Sequence, residues 1–211
     1  MTLFLGALLP LFLGESFNAD FSFPEDVGIV DVTKAPYLAD PTANNNHDDT
    51  NAILQALADH AGEGKIIYLP NGVYNISGPI EFPKGQPGWK WSGNRLQGQS
   101  TESTQPQAVI RTTGIVEDWH VAQRFNNDLS HLTIQTGRGN AGAIGLQFMS
   151  NNTGILEAVK VISDDGQGTY GVDFGFANEN GPLLVKNLSV DGFDVGIYTS
   201  YALISQTFEN I

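Results

Sequence analysis

Two Asp-Gly pairs, Asp165-Gly166 and Asp191-Gly192, stand 26 residues apart, and each has a second acid close by, Asp164 beside the first and Asp194 after the second. Paired carboxylates are what glycosidic bond cleavage requires, one acting as acid and the other as base or nucleophile across about 5–9.5 Å. The same four residues are hard oxygen donors of the kind Ca2+ takes, which makes calcium the one candidate cofactor. Asp-Gly is also a turn former, so the plainer reading places both pairs at chain corners. What decides between these readings is how the chain brings positions 26 apart together.

Other side chains suit a sugar ligand. Trp89-Lys90-Trp91 puts two indoles on one side of a strand, a platform for sugar rings if exposed and core packing if not. Trp119 and Tyr198 could extend such a platform. Arg124 and Arg138 could hold a sugar carboxylate in a bidentate manner, or each could fix a loop. Gln135 to Asn140 has the glycine content of a phosphate loop, but no helix follows it and no Lys-Ser/Thr closes it.

Composition narrows the choice further. The chain has 211 residues, 10 Lys+Arg against 23 Asp+Glu and a formal charge of −13, so it has no basic footprint for a nucleic acid partner. Only 16% of residues are charged while 41% are apolar, which is the balance of a folding chain. Its 24 glycines and 10 prolines point to many short strands and turns. With no Cys there is no disulfide scaffold, no thiolate metal site and no thiol nucleophile.

Leu3 to Leu13 is an unbroken apolar run followed by Gly14-Glu15-Ser16, which predicts an export signal over residues 1–16 and a secreted, cell-surface or periplasmic protein. No Lys or Arg precedes the run, and the competing reading is an apolar strand or helix covering one end of the core. The run is too short to cross a bilayer, and no other segment is long and apolar enough to do so.

One helix is expected. Asp48-Asp49-Thr50-Asn51 can cap it, Ile53, Leu54, Leu57, Ala58 and Ala61 recur at helical spacing, and Gly62 and Gly64 stop it. Strands then follow at Lys65 to Leu69, Val73 to Ser77 and Pro79 to Phe82, with Pro70-Asn71-Gly72 as a turn. Residues Lys84 to Gln107 read as a long surface excursion, broken by short strands at Trp89 to Trp91 and Arg95 to Gln97.

From Leu129 the chain repeats. Leu132-Thr133-Ile134, Val159-Lys160-Val161 and Leu188-Ser189-Val190 are one apolar-polar-apolar triplet, and Phe208-Glu209-Asn210-Ile211 begins a fourth copy. A second series runs in phase at Gly145 to Phe148, Gly171 to Phe174 and Gly196 to Thr199. Two strand series with one period near 26 residues and no helix between them predict a parallel β-helix, in which each coil buries its apolar face against the next. Stacked coils bring equivalent residues to about 4.8 Å, so acids on neighbouring coils fall within glycosidase range. Asn187 and Asn210 take equivalent places, which predicts a stacked-amide ladder for the last two coils; His131 and Ala158 stand there in the earlier ones.

Asp31-Val32-Thr33-Lys34-Ala35-Pro36-Tyr37, Ala39-Asp40-Pro41-Thr42, the Asp-Asp-Thr helix start and Gly64 through Tyr74 resemble the amino-terminal segment of the pectate-lyase superfamily. The stretch from Gln123 to Ile211 resembles the first full coils of that group. The resemblance implies an all-β fold, a right-handed parallel β-helix with an amino-terminal capping α-helix, with residues 17–211 forming the cap and first coils of a single domain. It also implies that the chain, ending inside a strand, is a fragment of a longer product.

The functional expectation is an exported polysaccharide-degrading enzyme, a glycoside hydrolase or polysaccharide lyase acting on a pectin-like or glucan substrate. The alternative is a non-catalytic carbohydrate-binding or structural β-helix, of adhesin or tail-spike type. Asp164-Asp165-Gly166 is similar to the Asp-Asp element of polygalacturonases, and Val190 to Asp194 to their Asn-Thr-Asp strand. The two occur here in reverse order, and the Gly-His-Gly and Arg-Ile-Lys elements are missing. Lyases of the superfamily pair calcium with a basic residue, but Lys160 and Lys186, the only basic residues after Arg138, fall in or beside the repeating strands, where outward solvation is expected.

Overall fold

The structure is a computed structural model that describes residues 23–24, 27–42, 46–82, 90–98, 107–111, 125–176, 180–200 and 205–211. The apolar run read as an export signal lies outside them. The elements are β1 (Ile29–Asp31), α1 (Thr50–Asp59), β2 (Ile66–Ile76), β3 (Ile80–Glu81), β4 (Lys90–Gly98), β5 (Gln107–Arg111) and β6 (Asp128–Gln135), then β7 (Ala143–Gln147), β8 (Asn151–Ile162), β9 (Tyr170–Asp173), β10 (Gly181–Lys186), β11 (Ser189–Asp191), β12 (Val195–Tyr198) and β13 (Gln206–Glu209).

Every pairing between these strands is parallel. One sheet runs β1-β2-β4-β6-β8-β10-β13, with β11 also on β8, and the other runs β12-β9-β7-β5-β3. The chain alternates between the sheets and advances one strand per turn, which is a parallel β-helix of about three turns.

The repeat read from the sequence is the register of the sheets. Leu132 pairs with Val159 and Ile134 with Val161, which in turn pairs with Val190. In the second series Leu146 pairs with Val172 and Val172 with Ile197. Phe208 pairs with Val185, which carries the fourth copy into line. Ile67, Leu129, Leu156 and Val185 are fully buried, and each such aliphatic side chain contributes about 1.5–3 kcal/mol. Phe148, Phe174 and Phe208 add an edge-to-face series with centroids 6.4 and 5.8 Å apart.

Gly145 and Gly171 let the layers approach. A Cβ on Gly145 would lie 2.1 Å from Val161 Cγ1, and one on Gly171 2.1 Å from Val190 Cγ1, so the recurring glycine is a packing requirement.

A second recurrence is conformational. His131, Ala158, Asn187 and Asn210 all have φ between 52° and 54°, the left-handed region, at one place in four successive strand turns. Asn tolerates this region better than Ala does. The amide ladder is present where it was expected, with Asn210 Nδ2 donating to Asn187 Oδ1 at 2.7 Å.

Three expectations need correction. Pro70-Asn71-Gly72 does not reverse the chain: β2 runs on through it with a register shift between Leu69 and Val73, because both halves pair in parallel with β4. Within the stretch Lys84 to Gln107, the two short strands expected are one continuous strand, β4, between β2 and β6, and residues 84–89 and 99–106 lie outside the described residues. The helix spans Thr50–Asp59, and Asp49 makes no side-chain cap. Its buried carboxylate is occupied elsewhere, accepting the N–H groups of Asp40 (2.7 Å) and Asn75 (2.9 Å) and lying 2.8 Å from His47 Nδ1.

Asp48 does the capping, through the Thr50 N–H at 3.0 Å, and also accepts the Ser77 hydroxyl at 2.6 Å. Partial burial works against its charge, but hydrogen bonds from Ser77 and Thr50 outweigh it and hold the carboxyl below its usual range. The two acids thus tie α1 to the end of β2. Ile53, Ala56 and Leu57 face the core, and α1 lies on β2 and β3, covering the first coil as an end cap must.

Candidate functional site

The four acids of the sequence reading lie at the ends of β8 and β11 and in the bends that follow, on neighbouring coils. Beyond β8, Asp164 accepts from Gln135 Nε2 of the preceding coil, while Asp165 Oδ2 accepts the Gly139 N–H at 2.7 Å. Asp165 Oδ1 accepts the Ser163 hydroxyl and the Gln167 N–H, each at 3.1 Å. Asp191 belongs to the next coil, and its carbonyl accepts the Ser163 N–H at 2.9 Å; the Asp194 N–H goes to the Gly168 carbonyl. Gly166 and Gly192 follow with φ of 71° and 87°, as a corner requires.

The Gly139 N–H, followed by the Gln167 and Ser163 donors, holds the Asp165 carboxyl below its usual range, so it is ionised at neutral pH and unsuited to act as a general acid. Among the described residues no three carboxylate or imidazole side chains form a group that could hold a metal ion. The four acids therefore do not fit the calcium reading, and no chemistry is derived through that ion.

Arg138 is exposed in the bend after β6, one residue before the Gly139 that holds Asp165. Tyr198 is 37% exposed and stacks on Tyr170, with centroids 4.9 Å apart and planes 22° apart. It lies in the second sheet, away from these acids. Trp91 occupies the place on β4 between Ile67 and Leu129. Trp89, Trp119 and Arg124 lie outside the described residues. Lys160 is exposed and Lys186 half-buried, each alternating with buried neighbours on the outward phase of its strand.

A concave site lies at the opposite end of the same strands. Asp128, Ile155, Leu184 and Thr207 stand in register across β6, β8, β10 and β13. They line a groove of about 630 Å3 with Asn126, Thr153, Pro182 and Ser205 beside them. Ile155 and Leu184 are half-buried, on the outward phase between the buried Leu156, Leu183 and Val185. Four strands at roughly 4.8 Å give the groove a run of about 14 Å along the solenoid axis.

The rim is fixed by hydrogen bonds: Asp128 Oδ1 accepts the Ile155 N–H at 3.1 Å, and the Thr153 hydroxyl donates to Asn126 Oδ1 at 3.0 Å. Behind it runs a buried polar seam. The Asn127 N–H donates to Ser150 Oγ, the Ser150 N–H to Asn180 Oδ1, and Asn180 Nδ2 to the Phe148 carbonyl. The groove is thus built on sheet and buried corners.

Sequence reasoning passed over these residues, because none is a titratable pair or an aromatic. The available signal was Pro182-Leu183-Leu184-Val185-Lys186, where an apolar residue occupies the outward phase of a strand whose inward phase is already apolar.

Residues 39–211 match the family model described as rhamnogalacturonase A/epimerase, pectate lyase-like. The chain belongs to this family. No curated protein and no solved structure matches it. Membership agrees with the parallel β-helix seen here and makes a polysaccharide-active module the coarse functional assignment. In this family member the acidic residues lie toward one end of the main-sheet strands and the apolar-floored groove at the other.

Proposed function

We propose that the chain is a polysaccharide-binding and polysaccharide-degrading module, exported, that seats a glycan strand along the groove between Asp128 and Thr207. The carrying observation is the composition of that groove. Its floor of Ile155 and Leu184 suits the C–H face of a pyranose, and its rim of Asn126, Thr153, Ser205 and Thr207 supplies hydroxyls and amides to meet sugar hydroxyls. The strands step about 4.8 Å per coil along the groove, which suits an extended ligand lying along the solenoid axis.

Cleavage by hydrolysis or elimination is tested directly by incubating the purified chain with pectins and glucans. New reducing ends without unsaturated uronide absorbance indicate a hydrolase, and both together a lyase. Retained binding with neither product removes the degrading activity from the reading and leaves a carbohydrate-binding β-helix.

A further inference from the structure

The rim of the groove is built on a break in the sheet. Between its pairings at Asn151 and Gly154, β8 has two residues, Asn152 and Thr153, where β10 has only Pro182. On its other side, from the Phe125–Asn151 bridge to the Asp128–Ile155 pair, β8 has three residues where the chain entering β6 has two. The strand therefore carries a one-residue bulge at the rim, a device that re-aims side chains out of the ladder. Asn152 and Thr153 take φ of 49° and 76°, and Asn126 beside them takes 57°. Asn tolerates this left-handed region, but a β-branched threonine is strained in it. Thr153 is exposed, so core packing does not explain the strain. The bulge is held from behind, where a Cβ on Gly154 would lie 2.0 Å from Ser150 Oγ and that oxygen accepts the Asn127 N–H at 2.9 Å.

What the bulge presents is a hydroxyl beside an amide. The Thr153 hydroxyl lies 3.0 Å from Asn126 Oδ1 and 2.5 Å from the Asn152 carbonyl, so its single proton goes to an acceptor within the rim and its oxygen serves as an acceptor in turn. Asn126 adds an amide nitrogen, which is a donor. Both residues are exposed and line the groove. An acceptor next to a donor is the complement of two neighbouring sugar hydroxyls, one giving a hydrogen bond and the other taking one. Resting on the glycan-binding reading above, we infer that the Asn152-Thr153 bulge is the sugar-recognition element of the groove: Thr153 and Asn126 together bind neighbouring hydroxyls of one pyranose unit, and a threonine occupies the strained position for its hydroxyl.

The test pairs affinity with stability on the whole chain, with methyl-esterified homogalacturonan and a neutral galactan as probes. Thr153→Gly removes the hydroxyl and relieves the strain together. Its affinity for whichever polymer the parent binds should fall about tenfold, the worth of a hydrogen bond to ligand, while its thermal midpoint stays level or rises. Thr153→Ser keeps the hydroxyl without the branch and should bind within about threefold of the parent. A residue with a purely structural role would instead lower the midpoint when truncated. A lower midpoint for Thr153→Gly, parental affinity without the hydroxyl, or a Thr153→Ser variant as weak as Thr153→Gly overturns the inference and leaves the glycan-binding reading standing, because the parent still binds. Binding of the parent to neither polymer overturns both.

Discussion

Asp49 shows how one buried carboxylate can be worth more than a helix cap. It joins the segment before the helix to the end of β2 by accepting two backbone N–H groups. Asp49→Ala would leave those donors without their acceptor and should cost about 2–4 kcal/mol in denaturant unfolding; Asp49→Asn, which keeps one oxygen, should cost less. Asp48 and Asp165 each contribute to the pH dependence. Both carboxyls are held below their usual range in the folded chain, so the stability they contribute is present above the ordinary aspartate range and is lost as pH falls through their depressed folded values. Thermal midpoints should therefore decline on the acid side, between about pH 5 and pH 2, and Asp165→Asn should flatten part of that decline. An unchanged acid slope in the variant would contradict the role given to the Gly139 N–H.

At the scale of strands and coils, parallel stacking puts the same residue type in the same place each turn, and that made the second half of the fold legible from sequence. The triplets at Leu132, Val159 and Leu188 and the glycines at 145 and 171 recur because each must fit the coil below it. Where repetition is weak the reading failed. In β4 the inner Ser92-Gly93-Asn94-Arg95 gives no apolar alternation, and its strand character comes from its neighbours β2 and β6. Pro70-Asn71-Gly72 carries turn chemistry yet is absorbed as a register shift.

The left-handed position shared by His131, Ala158, Asn187 and Asn210 yields a prediction of the opposite sign from most substitutions. Ala158→Asn should stabilise the chain by about 1 kcal/mol, since Asn adopts φ near 53° with less strain and stands beside Asn187. Gly145→Ala should destabilise by about 2–3 kcal/mol or more, because its Cβ would enter the space of Val161. Thermal unfolding of the two variants against the parent checks both.

Across the whole molecule, the sequence made the solenoid and its acidic bends visible but not the groove. Acids and aromatics advertise chemistry by residue type, whereas Ile155, Leu184 and Thr207 become a surface only when register places them side by side. The acids of these bends, read as a candidate catalytic set, are joined through Gln135, Gly139 and Ser163 to the bends of neighbouring coils. The central claim is that a glycan lies along the groove. Affinity electrophoresis in methyl-esterified pectin, comparing the parent chain with Leu184→Glu, tests it most directly. Leu184 is half-buried on the outward phase, so the substitution should cost under about 1 kcal/mol of stability. The account predicts retarded migration of the parent and free migration of the variant with unchanged circular dichroism; equal retardation of both would contradict it.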